Sequence, residues 1–157
     1  MDIRIYYYIE GIQIMSKAKV LFLCTKNSVR SQMAEAFLKK YAGDRFEVYS
    51  AGLEPGEINP YTKKVMDEID IDISDQRSKG LMEFMGKMHI GYLITVCSKA
   101  EERCPFFPGI AKRLHWPFDD PALFEGTEEE KLNKFREIRD QIKEKIQSWL
   151  KEIDNEV

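Results

Sequence analysis

The apolar run Val20-Leu21-Phe22-Leu23 ends in Cys24, and a helical pattern starts soon after it. A continuous apolar run of this length fits a buried strand. Met33, Phe37 and Tyr41, with Ala34 and Leu38, recur at helical spacing. Between them lies the polar stretch Cys24-Thr25-Lys26-Asn27-Ser28-Val29-Arg30-Ser31. The order is therefore strand, short loop, helix start. A loop folded back into a helix start turns its backbone N–H groups inward, and the helix dipole adds positive potential. A tetrahedral oxyanion fits such a place, and the planar fork of Arg30 can grip two of its oxygens. The same field favours Cys24 as the nucleophilic thiolate. The loop reads as a site where a thiolate attacks a phosphate-like centre. The competing reading is a buried cysteine in an ordinary strand-to-helix turn.

The same alternation continues along the chain. Phe46 to Ser50 reads as a second strand, Tyr92 to Val96 as a third and Arg113 to Trp116 as a fourth. Asn59-Pro60 is a cap and first-turn proline opening a helix to about Glu68. Ser78 is expected to cap another helix, with Leu81, Phe84, Met85 and Met88 on one face. Thr127-Glu128-Glu129-Glu130 reads as a capping box. The helix it starts carries Phe135, Ile138, Ile142, Ile146, Trp149 and Ile153 on its buried stripe. The fold class that follows is α/β: a single domain with a four-stranded parallel sheet and helices on both faces. Ligands of such folds bind beyond the C-terminal strand ends. Cys24, Cys97 and Asp120 all follow predicted strands, so they can converge on one edge despite their separation.

The chain has 157 residues, enough for one domain with a sizeable core. A net charge of −3 argues against non-specific nucleic-acid binding. Nothing approaches the length of a membrane span. Three cysteines are too few, and odd in number, for a secreted disulfide framework, which points to the cytoplasm. Cys97, Cys104 and His115 lack the paired short spacing of a zinc site, so no metal is expected. Residues 1–15 read as an N-terminal extension to a domain of residues 16–157. Within them, residues 1–14 are either an upstream misread start before Met15 or a loosely ordered segment, with Ile3 to Ile9 as a candidate extra strand.

Two further positions stay open on spacing alone. Cys97 is either a small core residue or half of a redox pair with Cys104. The polar segment Ser98 to Arg103 between them looks mobile, and an extended segment must reorganise to bring the two Cα atoms within about 7 Å. Asp120 precedes Pro121, a common turn opener, and Asp119 stands beside it. His115 reads as structural.

Cys24 to Glu35 resembles the anion loop of the low-molecular-weight tyrosine phosphatase superfamily, and Gln32-Met33-Ala34-Glu35 leans toward its thioredoxin-coupled arsenate reductase branch. Tyr49-Ser50-Ala51-Gly52, Asp70 to Ser74, Val96-Cys97-Ser98, Cys104-Pro105 and His115 to Pro121 match that branch in order, so the resemblance spans about Lys17 to Leu150. It implies that Cys24 is the nucleophile, Arg30 the oxyanion clamp, Ser31 a hydroxyl steadying the thiolate and Asp120 the general acid. Thr25, Lys26, Asn27, Ser28, Val29 and Arg30 would form the oxyanion loop. Cys97 and Cys104 would be redox cysteines, with thioredoxin as electron source and arsenate or a phosphate-like oxyanion as substrate. The chain also departs from the pattern. Lys26 stands where these reductases carry glycine, and Val29 replaces a common cysteine. Some of these reductases bind potassium through residues matching Asn27, Glu35, Ser50 and an aspartate. Lys79 stands at the aspartate position, so its ammonium can take the cation's place and no cofactor is expected. The alternative is a phosphatase using only Cys24, Arg30 and Asp120, although Ala122-Leu123-Phe124 lacks the paired tyrosines that often follow the Asp-Pro of phosphatases. A third reading is a non-enzymatic oxyanion-binding or redox-sensing module.

Overall fold

Central strands of a parallel sheet are buried on both faces and so read as unbroken apolar runs. The two such runs in the sequence are indeed neighbours at the middle of the sheet. A computed structural model describes residues 5–9, 12–106 and 108–156, with side chains described from residue 17 onward. Its elements are β1 (Ile5–Ile9), β2 (Ile12–Ser16), β3 (Ala18–Cys24), α1 (Arg30–Ala42), β4 (Phe46–Gly52), α2 (Pro60–Asp67), β5 (Ile90–Thr95), α3 (Ser98–Arg103), β6 (Ile110–His115) and α4 (Glu128–Asn155). Four of the strands form one parallel sheet in the order β4-β3-β5-β6. The chain is a single α/β domain of four parallel strands and packed helices, as the alternating pattern requires.

From β3 the chain steps out to β4, then returns past β3 to β5. Right-handed crossovers running in opposite directions lie on opposite faces of the sheet, so a crevice opens between the carboxyl ends of β3 and β5. Cys24 ends β3, and Cys97 follows β5 by two residues. The edge strand β6 carries exposed Lys112 and Arg113, charges that discourage further strand pairing.

The long helix α4 starts at the expected capping box: Thr127 Oγ1 accepts from Glu130 N, and the Glu130 carboxylate accepts from Thr127 N. Its predicted stripe, Phe135 to Ile153, is buried throughout. Trp149 packs with ring centroids 5.6 Å from Phe46, 5.1 Å from Tyr92 and 5.5 Å from Trp116. One side chain thereby ties α4 to β4, to β5 and to the segment after β6. Asn59 caps α2 by accepting from Tyr61 N.

Two local expectations change. The helix expected after Ser78 is only a 3-10 turn at Leu81–Glu83. Gly80 is extended and bridges to Gly52, Gly86 takes φ 73°, and the Ser78 hydroxyl donates to the Lys26 carbonyl instead of capping. Leu81 and Phe84 are still buried. The Ser98 to Arg103 segment is a short helix, not an extended mobile stretch. Near the N-terminus, β1 pairs with β2 in an antiparallel sheet of its own. Ile3 and Arg4 of the candidate extra strand lie outside the described residues.

Candidate active site

Four carbonyls of the strand end and the loop after β3 are drawn toward the β4–α2 connection. Leu53 N donates to Cys24 O at 3.2 Å, Glu54 N to Thr25 O at 2.8 Å, Gly56 N to Lys26 O at 3.1 Å and Asn59 N to Ser28 O at 3.1 Å. With its carbonyls held by the β4–α2 connection, the loop turns its N–H groups the other way, toward the crevice. The close approach has a requirement: a Cβ on Gly52 would lie 2.8 Å from Asn27 N, Lys26 C and Thr25 O. Gly52 is thus the residue that lets the loop sit down on β4.

Asn27 bends the loop with φ 54°, a left-handed conformation that asparagine tolerates better than most residues. Its side chain is fully buried beneath the loop and organises the nucleophile. Asn27 Oδ1 accepts from Lys79 N at 2.8 Å and Gln32 Nε2 at 2.9 Å. The Lys79 backbone N–H can only donate, so the amide orientation is fixed. Asn27 Nδ2 therefore donates to Ser31 Oγ at 2.8 Å and Ser50 Oγ at 2.9 Å. Ser50 passes its own proton to Glu35 Oε1 at 2.8 Å. Ser31 Oγ lies 2.8 Å from Cys24 Sγ, and toward a thiolate, which carries no proton, the hydroxyl is the donor. Asn27 N also donates to that sulfur, at 3.1 Å. Two donated hydrogen bonds in a buried place suit a thiolate.

Cys24 opens onto a cleft of about 370 Å³ lined by Thr25, Arg30, Cys97, Asp120 and Leu123 among others. Lys26, Ser28 and Val29 also border it, whereas Asn27 does not; its role lies under the loop. Lys26, at the departing glycine position, is exposed to solvent. Arg30 Nη1 donates to Phe118 O at 3.0 Å, and Nη2 lies 3.5 Å from Asp120 Oδ2. Arg30 Nε is buried and meets no acceptor among the described residues, a donor left for a ligand. Asp120 is fixed by accepting from Ala122 N at 3.0 Å, the cap of the 3-10 turn Pro121–Leu123. Asp119 lines the cleft as well, but it is Asp120 whose carboxylate lies against Arg30.

The three cysteines are all free thiols. Cys97 is buried, borders the same cleft as Cys24, and has Thr25 Oγ1 at 3.5 Å from its sulfur. It is also the N-cap of α3, accepting from Ala100 N at 3.4 Å. Cys104 is the C-cap of α3, and burial pushes its thiol above the usual value. His115 touches Thr95 Oγ1 through Nδ1 at 2.9 Å and does not border the cleft.

Behind the loop, the Lys79 ammonium donates to Arg77 O at 2.7 Å and lies 3.4 Å from Ser50 Oγ and 3.6 Å from Glu35 Oε1. Burial lowers its pKa from the usual value, against the pull of the Glu35 carboxylate. Lys39 holds the other oxygen of Glu35 at 2.8 Å. These oxygens already face a positive charge, so the residues present do not fit a resident potassium ion. No group of three or more metal-binding side chains occurs among the described residues.

A nucleophilic thiol in a loop of this build, with an arginine and a downstream aspartate, has known counterparts. Residues 19–157 match the family model described as low molecular weight phosphotyrosine protein phosphatase. The chain belongs to that family. Within the low molecular weight phosphatase family, its relatives place it on the arsenate reductase branch. An arsenate reductase of Halalkalibacterium halodurans is 48% identical over 136 residues, covering 86% of this chain and 96% of that protein. The solved structure of an arsenate reductase in its phosphate-binding state superposes with a TM-score of 0.73 at 32% identity, over 87% of this chain and 98% of the other. A thioredoxin-dependent arsenate reductase of Corynebacterium glutamicum gives 0.67 at 31% identity, over 90% of this chain and 64% of the other.

The residues that sequence reasoning missed are those that set hydrogen-bond direction: Gln32, the Lys79 backbone N–H and the Phe118 carbonyl. Gln76 belongs with them, donating to Gln32 Oε1 at 2.8 Å. No local pattern marks a backbone group on a distant loop.

Proposed function

We propose that this protein reduces arsenate to arsenite by a relay of three cysteines, recharged by thioredoxin. The observation that carries the reading is that Cys24 and Cys97 border one cleft, with Cys104 at the far end of the short helix that Cys97 caps. The Cys24 thiolate attacks arsenic(V) seated against the loop N–H groups and the Arg30 guanidinium. One As–O bond breaks, and the departing oxygen leaves as water with a proton from Asp120. The Cys97 thiolate then attacks Cys24 sulfur. The S–As electron pair passes to arsenic, which leaves as arsenite, and a Cys24–Cys97 disulfide remains. Cys104 thiolate next attacks Cys97 sulfur, frees Cys24 as thiolate, and leaves a Cys97–Cys104 disulfide. A dithiol of the thioredoxin class reduces this last bond. Such a cycle suits the reducing cytoplasm, where we place the protein; no described helix is long and apolar enough to cross a membrane.

Hydrolysis of phosphate esters needs Cys24, Arg30 and Asp120 alone and is not favoured, because it leaves Cys97 idle beside the nucleophile. The test couples arsenate to thioredoxin and its reductase, with ester hydrolysis in parallel. Wild type forms arsenite, and Cys97→Ser forms none while keeping any ester hydrolysis. Equal ester hydrolysis by both proteins without arsenite from either would contradict the reading.

A further inference from the structure

Helix α3 separates Cys97 from Cys104 as its two caps. At a rise of about 1.5 Å per residue, seven residue steps put their Cα atoms about 10 Å apart. A disulfide needs less than about 7 Å, so α3 must open before Cys104 reaches Cys97. What holds α3 closed is concentrated on Glu101. Thr95 Oγ1, fully buried at the end of β5, donates to Glu101 Oε2 at 2.5 Å. With the Thr95 proton committed, the 2.9 Å contact from His115 Nδ1 to Thr95 Oγ1 places the donor on the histidine. Arg113 Nη2, from β6, lies 3.3 Å from Glu101 Oε2 and donates to the Glu101 backbone carbonyl at 3.0 Å. That carbonyl has no helical partner, because the residue four positions on is Pro105, which lacks an N–H. Both the side chain and the backbone of Glu101 are thus tied to the sheet. A second, exposed tie joins Arg103 to Glu54 at 2.6 Å.

We propose that Glu101 is a positioning residue for the second thiol exchange: through Thr95 and Arg113 it clasps α3 to the sheet and holds Cys104 away from Cys97 until the first disulfide has formed. The inference rests on the relay proposed above. The release is built into the order of steps. When Cys97 sulfur bonds to Cys24, it gives up its cap on Ala100 N, and the first turn of α3 loses that support. Opening also exposes Cys104, relieving the burial that suppresses its thiolate.

The test uses full-length protein in a Cys24→Ser background, so that only Cys97 and Cys104 remain. The reduced protein is treated with diamide, which takes two electrons and two protons from the thiol pair and becomes the hydrazine. The disulfide is followed by acid quench, alkylation and mass mapping. Adding Glu101→Ala is expected to speed Cys97–Cys104 cross-linking about tenfold, the scale of a lost hydrogen bond to a charged group. Alanine is the best helix former, so a faster rate cannot come from weaker helix propensity. Thr95→Val, which removes the same bond from the sheet side, is expected to act in the same direction. Hydrogen exchange of the amides of residues 99–103 should quicken in both variants. Cross-linking as slow as in the parent, or slower, overturns the clasp. Because diamide replaces arsenate, a protein that makes no arsenite but cross-links faster as Glu101→Ala sinks the reductase reading and keeps the clasp.

Discussion

The direction of each hydrogen bond beneath the Cys24 loop decides what the sulfur can be. Lys79 N fixes the Asn27 amide, Asn27 donates to Ser31, and Ser31 keeps its own proton to donate to a Cys24 thiolate. Replacing Ser31 by Ala removes one of the two donors to the sulfur. Alkylation of Cys24 by iodoacetamide at neutral pH is expected to slow about tenfold, with arsenite formation falling in step. An unchanged alkylation rate would show that Ser31 only fills space. Lys79→Met leaves the Asn27 contact with the backbone N–H but removes the charge facing Glu35 and Ser50. We expect kcat/KM for arsenate to fall about tenfold with the circular dichroism spectrum unchanged, and steady-state kinetics read this directly. At this scale the sequence shows Cys24 and Arg30 plainly, because the loop and its neighbours are contiguous. It hides the polarity of the network, whose partners on that loop lie 44 to 52 residues away.

Among the elements, β3, β5 and α4 are legible because their apolar periods are long and unbroken. The stretch after Ser78 fails as a helix because Gly80 and Gly86 interrupt an otherwise helical apolar pattern, and the backbone of Gly80 bridges to Gly52. Helix α3 is hidden for the opposite reason: its few residues are polar, and its closure depends on Thr95 and Arg113 from neighbouring strands. That dependence has a pH signature. The bond from Thr95, then the Arg113 and His115 charges, hold the Glu101 carboxyl below the ordinary 4.5 despite its partial burial. A lowered folded value means that the stabilisation is fully present above 4.5 and is lost as pH falls through the folded value. Protection factors for the α3 amides should therefore stay level from neutral pH down to about 4.5 and drop only below it. A drop already between pH 5 and 7 would contradict control by Glu101.

For the whole molecule, the order β4-β3-β5-β6 explains how residues far apart in sequence meet, since the crevice lies where the chain reverses direction around β3. The hairpin of β1 and β2 stands outside this plan, because β3 already has partners on both sides. We propose that residues 1–15 are an addition to a domain of residues 16–157. Removing them is expected to leave the melting temperature within a few degrees and arsenate turnover within about twofold; a collapse of either would make the hairpin part of the core. The most direct test of the relay is a single turnover of Cys104→Ser with stoichiometric arsenate, followed by acid quench and disulfide mapping. The relay predicts one arsenite per protein and a disulfide joining Cys24 to Cys97. Protein that forms no arsenite and keeps Cys24 and Cys97 as free thiols would contradict it.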